Sequence, residues 1–274
     1  MSRYFHAVLT AGSFAFAMLV FSCKKDIEPS LLAENISAPK VDKEFKKCRI
    51  TRIISRYDPL TGPKTITFEY NRKGDPVSVM PSFITEGSMN WLFRYDSRHR
   101  LTDYIGAGRD GFFEFWHKYV YDDHSRIIKD TTYIWGSFDQ ESGGGPLSWY
   151  FQWYTDYEYD KQGRIILVTM YPSNYPGSFI EFPYSYDANG NLVMPGSTYD
   201  NKVSLFRTND VWMFISRNYS RNNAIVATSY NPYGLPLDFN SAFPPLYSFN
   251  GWALNDSVIE YDCKGNQDAT VDSH

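Results

Sequence analysis

The segment Tyr159-Asp160-Lys161-Gln162-Gly163-Arg164-Ile165 decides the fold, because variants of it recur along most of the chain. The Asp side chain can accept a hydrogen bond from the backbone two residues on, which starts a turn. The Gly can take the positive φ that is required where a type I turn ends in a bulge. An aliphatic residue then opens the return strand. The segment therefore predicts one β-hairpin per copy.

Seven copies of this segment lie 25 to 44 residues apart, so the repeat carries insertions. Every copy has Asp or Asn directly after its first Tyr. His99 and Ser125 replace the turn Gly in two copies, and His is among the residues better tolerated at positive φ. The copies begin at Tyr70, Tyr95, Tyr121, Tyr159, Tyr186, Tyr230 and Tyr261.

The sequence between the copies alternates with the period of two that is typical of strands; Trp91, Phe93 and Tyr95 would share one side of a strand. We therefore predict an all-β fold, a curved antiparallel meander of hairpins, and leave open whether it rolls toward a barrel. Asn209 is a suitable helix cap, and apolar spacings after it predict one short helix near residues 209–217. The Gly-rich stretch between Trp135 and Ser148 predicts a loop.

The repeated Tyr-Asp-x-x-Gly-Arg-Ile pattern resembles YD repeats, also called RHS-like repeats, over about residues 48–265. Only the copy at Tyr159 matches in full. With its N-terminus, the chain resembles a YD-repeat bacterial lipoprotein from a family without an assigned function. The resemblance implies a curved β-sheet and supplies no catalytic residue.

Residues 1–22 are expected to be a lipoprotein signal peptide. Their apolar core has the length of a signal core and is short for a spanning helix. It ends at Leu19-Val20-Phe21-Ser22-Cys23, which resembles the bacterial signal whose Cys is lipidated. We expect lipid on Cys23, a flexible tether over residues 23–43, a single β-repeat domain over 44–268 and a disordered tail over 269–274. The alternative is an ordinary secretory signal with a chance Cys.

The stretch Lys24-Lys25-Asp26-Ile27-Glu28 after Cys23 is rich in Lys and acidic residues and resembles the starts of surface-exposed outer-membrane lipoproteins. We expect the chain to be anchored to the cell outer membrane through its lipid, and surface exposure is left open. The net charge of −4 and the absence of long basic runs argue against a nucleic-acid partner.

Cys48 and Cys263 remain after Cys23 and lie near the first and last expected strands. The cell envelope permits disulfides. If the sheet curls so that its ends meet, these two residues can bond; otherwise they are separate thiols.

Catalytic signatures are absent from the sequence: it has no G-x-S-x-G, P-loop or H-E-x-x-H motif, so we predict no catalytic residue, metal site or cofactor. His117 is interpreted as an ordinary strand residue, because the sequence shows no partner for it. Asp156, Glu158 and Asp160 alternate and could bind Ca²⁺ or act as an acid pair, but a solvated face ending in a turn is the simpler interpretation.

The aromatic residues Trp149, Phe151 and Trp153 would share one face of a strand. If this row of aromatic residues is exposed, it could stack on sugar rings or anchor a protein partner. The alternative, and the ordinary outcome, is burial of both faces under the Gly-rich loop and the helix. Two short segments, Asp130-Thr131-Thr132 and Asp256-Ser257-Val258, resemble envelope O-glycosylation motifs.

Three functions fit these features. The first is a non-enzymatic envelope lipoprotein that binds a glycan or a protein, or acts as a scaffold. The second is an envelope glycoside hydrolase that uses two carboxylates. The third is a structural or toxin-associated shell, which the YD resemblance implies. Fold alone does not separate them.

Overall fold

The computed structural model describes residues 48–56, 63–84, 88–139, 143–175, 177–224, 227–239, 248–249, 252–254 and 256–263. The expectations for the signal peptide, Cys23, the tether and the tail lie outside these residues.

The described residues form strands, one short α-helix and a 3-10 turn. The helix α1 spans Asp210–Ile215 and follows a 3-10 turn at Leu205–Thr208. The strands are β1 (Cys48–Ser55), β2 (Lys64–Tyr70), β3 (Pro76–Pro81), β4 (Asn90–Tyr95), β5 (Leu101–Ala107), β6 (Phe112–Tyr121), β7 (Ile127–Ser137), β8 (Ser148–Tyr159), β9 (Ile165–Pro172), β10 (Ile180–Pro183), β11 (Ser229–Tyr230), β12 (Pro236–Phe239), β13 (Ser248–Phe249), β14 (Trp252–Ala253) and β15 (Ser257–Cys263).

Thirteen of these strands form one antiparallel sheet in the order β10-β9-β8-β7-β6-β5-β4-β3-β2-β1-β15-β12-β11, and β13 pairs with β14 separately. Ten strands are thus neighbours in chain order, which confirms the predicted meander. Over the described residues the sheet is open, with β10 and β11 at its edges, so it does not close into a barrel. The short helix lies where the sequence predicts it. The predicted loop begins later than expected, because β7 continues to Ser137.

The disulfide between Cys48 and Cys263 joins two adjacent strands, since these residues are paired positions of β1 and β15. The bond therefore forms without the sheet curling until its two ends meet, which differs from the expectation. Instead, the chain beyond β10 returns to the free edge of β1 and adds β15 there. The bond closes a sequence separation of 215 residues.

The turns have the geometry that the repeat predicts. Asp160 accepts hydrogen bonds from the backbone N–H groups of Gln162 and Arg164, both at 2.9 Å. Gly163 has a φ of 77°, and the substitutes His99 and Ser125 have φ values of 63° and 61°. The left-handed conformation is therefore imposed by the turn, whichever residue occupies the position.

The Arg and Tyr of the repeat link successive hairpins. The Arg164 guanidinium lies 4.0 Å from the ring centre of Tyr186, in the next copy. The Tyr186 hydroxyl donates to the carbonyl oxygen of Ile165 at 3.1 Å. Arg126 and Tyr159 repeat the ring contact at 5.4 Å. Cation–π contacts of this kind contribute about 0.5–1 kcal/mol each at exposed sites. The repeat therefore specifies both the turn and the contact of that turn with the next hairpin.

The helix α1 covers one face of the sheet, which we call the helix face. Asn209 caps it by accepting the Val211 N–H at 2.9 Å. A six-residue helix is marginal alone, and its stability comes from packing. Trp212 is fully buried, with its ring centre 5.6 Å from Phe93. Phe214 packs against Tyr157 of β8 at 5.2 Å.

The other face, which we call the opposite face, is covered by the loop between β7 and β8. Arg94 donates to the carbonyl oxygens of Gly143 and Gly144 at 2.8 and 2.6 Å. Its guanidinium also lies 4.8 Å from the ring centre of Trp116, which contacts Phe138 of the same loop. The loop therefore packs over the centre of the sheet.

Candidate functional site

On the helix face, Phe214 covers Tyr157 of β8 and Val168 of β9, which are buried, and beyond these two residues the face becomes partly exposed. Strand register places three apolar residues, Met170, Ile180 and Phe182, on this partly exposed area. Met170 pairs with Ile180, and Phe182 pairs with the buried Val168. Ile180 and Phe182 are exposed by 53% and 39%. The strand β10 lies at the sheet edge. Large exposed apolar areas on a folded protein commonly mark interaction sites.

Two of the three aromatic residues singled out in β8 extend this area. The rings of Phe151 and Trp153 are in contact, 5.7 Å apart, and both are half-buried. We define the β8–β10 surface as Phe151, Trp153, Met170, Ile180 and Phe182. Neither the helix nor the Gly-rich loop buries it, so the alternative of complete burial is wrong for this stretch.

Trp149 does not belong to that surface. Its ring contacts Tyr133 at 4.8 Å, and Tyr133 packs with the Trp116 cluster on the opposite face. The expectation that Trp149, Phe151 and Trp153 form one row is therefore incorrect. In the neighbouring strand, Trp135 has a φ of 47°, which breaks the regular alternation of side chains.

A polar cluster that the sequence analysis missed lies beside this surface. Asp130 is 2% exposed, and its Oδ2 lies 2.6 Å from His117 Nδ1. The Thr132 hydroxyl lies 2.9 Å from the same nitrogen and donates to Asp130 Oδ2 at 3.2 Å. His117 thus has the positioned carboxylate that the sequence did not reveal.

The pairing of β6 with β7, which follows from their hairpin turn, is the feature of the sequence that could have predicted this cluster. The turn after Tyr121 sets His117 opposite Thr132. Asp130 is two residues from Thr132 and hence on the same face. An Asp–His pair can orient an imidazole for hydrogen bonding or proton transfer.

The other candidate residues are engaged in structural contacts. Asp156 forms an ion pair with Lys129 at 3.0 Å, and Asp160 pairs with Arg164 at 2.7 Å. Ser257, in the second glycosylation-like segment, is fully buried, so its hydroxyl is closed to a modifying enzyme in the folded protein. In the first, Asp130 and Thr132 are buried.

A cleft of about 640 Å³ lies between the turn tips and α1. Two of the arginines that line it, Arg100 and Arg126, already pair with Asp96 and Asp122 of their own turns. The backbone N–H of Arg126 and then its guanidinium lower the pKa of the Asp122 carboxyl. We interpret this cleft as a consequence of the repeat.

No protein-family model matches the chain, and no curated protein matches it. Among solved structures, the crystal structure of TcdB2-TccC3-Cdc42 shares 13% identity and a TM-score of 0.28, covering 47% of this chain and 7% of that one. That of TcdB2-TccC3-TEV shares 12% identity and a TM-score of 0.29, covering 68% and 9%. The chain thus spans under a tenth of those proteins, and the likeness is loose. Over the described residues, no helix is long and apolar enough to cross a membrane.

Proposed function

We propose that this chain is a non-enzymatic binding module of the bacterial cell envelope, anchored to the outer membrane through a lipid on Cys23. The repeated hairpin, with its Asp, positive-φ and Arg positions, supports the further proposal that it is a YD-repeat lipoprotein. Its signal-like N-terminus supports the location.

The β8–β10 surface carries the functional proposal. It combines the half-buried aromatic pair Phe151 and Trp153 with exposed Ile180 and Phe182 at a sheet edge. An aromatic ring presents a flat apolar face to a ligand while its edge remains in contact with solvent. Such a face can stack on the C–H face of a sugar ring. We propose a glycan as the ligand, with a protein partner as the competing occupant.

A glycan array tests this proposal directly. The full-length chain is kept in lauryldimethylamine oxide, a detergent without a sugar headgroup that would compete. Intrinsic Trp fluorescence then confirms each hit in solution. Saturable binding to one class of glycan is expected.

Trp153→Ala locates the binding site, and Val193→Ala is the matched control, because Val193 is 57% exposed and lies outside the surface. Loss of a central aromatic contact should weaken binding by roughly 30-fold, and the control should bind normally. Binding that survives in Trp153→Ala would show that the site lies elsewhere. Absence of binding to every glycan would reject the glycan ligand and make a pull-down from the envelope the next experiment.

A further inference from the structure

The cluster of His117, Asp130 and Thr132 is not explained by packing alone. Asp130 is a carboxylate at a position that is 2% exposed, where an apolar or hydroxyl side chain would avoid the desolvation cost. The hydrogen-bond contacts with His117 and Thr132 are made by its Oδ2, which also accepts a long hydrogen bond from the Tyr157 hydroxyl at 3.4 Å. Its Oδ1 is buried and has no hydrogen-bond partner in the part of the chain that the structure describes. Such costs are concentrated at functional sites.

The cluster holds the His117 ring in one orientation. Tyr104 and Tyr119 both lie nearly parallel to it, at 5.5 and 6.0 Å between ring centres. Nδ1 is engaged by Asp130 and Thr132. Nε2 has no hydrogen-bond partner among the described residues, and the side chain is 22% exposed. The ring therefore offers a single oriented hydrogen-bonding atom.

The β8–β10 surface begins two strands away. Thr132 is paired with His117 on one side and with Trp153 on the other. Two strand spacings place His117 and Trp153 about 10 Å apart along the sheet. An oligosaccharide whose ring stacks on Trp153 can therefore reach the imidazole with a hydroxyl.

We infer that His117 Nε2 hydrogen-bonds a hydroxyl group of a neutral oligosaccharide whose neighbouring ring stacks on Trp153. This inference rests on the proposed glycan-binding function and names its ligand class. The Asp130 carboxylate, whose Oδ2 lies 2.6 Å from His117 Nδ1, repels the carboxylate of an acidic sugar at this ring. Asp130 and Thr132 act as positioning residues, because they hold the ring without touching the ligand.

The test measures affinities by calorimetry for neutral hexaoses of glucose, mannose and xylose, with an oligogalacturonate as the acidic probe. His117→Asn is the key variant. Its amide can replace Nδ1 in the contact with Asp130, but it places no atom at the position of Nε2. It should weaken neutral-sugar binding about tenfold, the value of one lost hydrogen bond. His117→Gln, whose amide reaches the Nε2 position, should restore most of the affinity, and His99→Asn should change nothing.

A second measurement is independent of folding of the variants. In the wild-type chain with labelled histidines, the imidazole nitrogen signal of His117 should shift as the hexaose is added, and those of His99 and His124 should stay. Equal binding by His117→Asn and wild type, together with loss in Trp153→Ala, would overturn this inference alone. A stronger affinity for the acidic probe would also overturn it. No saturable binding by the wild-type chain would overturn both proposals.

Discussion

A substitution at Ser125 measures the free-energy cost of placing a residue other than Gly at the positive-φ position of the repeated turn. Ser125 occupies the position that Gly163 fills in the next copy, and both have positive φ, 61° and 77°. The left-handed conformation costs an L-residue about 1–2 kcal/mol. Gly avoids this cost but loses about 0.5–1 kcal/mol more chain entropy on folding. Ser125→Gly should therefore raise the free energy of unfolding by roughly 0.5–1 kcal/mol.

The reverse substitution isolates the same effect. A Cβ added at Gly163 meets no atom within 4 Å, so Gly163→Ala introduces no clash. It should lower the free energy of unfolding by roughly 0.5–1 kcal/mol, because the backbone strain exceeds the chain entropy that Ala saves. Gly145→Ala is the matched control, since its Cβ also has open space and its φ is not positive. That variant should not be destabilised.

The assay is reversible urea unfolding of the oxidised chain, followed by Trp fluorescence. Ser125→Gly and Gly163→Ala should shift the midpoint in opposite directions with an unchanged dependence on urea, which shows that stability alone has changed. Gly145→Ala should not lower the midpoint. If Ser125→Gly is neutral or destabilising while Gly163→Ala is tolerated, the turn does not enforce the left-handed conformation and the reasoning fails.

Three further predictions concern covalent and ionisable groups. Replacing Cys48 and Cys263 by Ser should lower the free energy of unfolding by roughly 4–5 kcal/mol, because the bond closes a very long loop; an unchanged urea midpoint would show that the bond contributes nothing. The pKa of Asp122 is held below its ordinary value of 3.8 by the Arg126 N–H and guanidinium, so its stabilising effect is present above that pH and is lost as pH falls below it. Asp122→Asn keeps the turn acceptor and should flatten the acid limb of a stability–pH curve; an identical limb would contradict this. Burial raises the pKa of Tyr121 from 10 to about 12, so stability should decline between pH 10 and pH 12 as the unfolded chain ionises first; Tyr121→Phe should reduce that decline in an alkaline denaturation series, and a curve matching wild type would argue against it.

The site shows where sequence reasoning reaches its limit. Phe151 and Trp153 could be chosen from alternation in β8, because the alternation holds there. Trp149 was misassigned, because the backbone of a neighbouring strand departs from regular geometry at Trp135. His117 was interpreted as an ordinary strand residue, since its partner Asp130 lies thirteen residues away in sequence and becomes a neighbour only through strand register.

The sequence by itself determined the local features of this protein: the repeated turns and the cap at which the helix begins. Each depends on contacts within about four residues, such as Asp160 with the Arg164 N–H, so the residue types are sufficient. Only the tertiary structure decided that β15 pairs with β1, that α1 covers the face as far as Tyr157 and Val168, and that the β8–β10 surface stays partly exposed beyond them. These depend on where residues far apart in sequence meet, and that is set by the packing of the whole sheet.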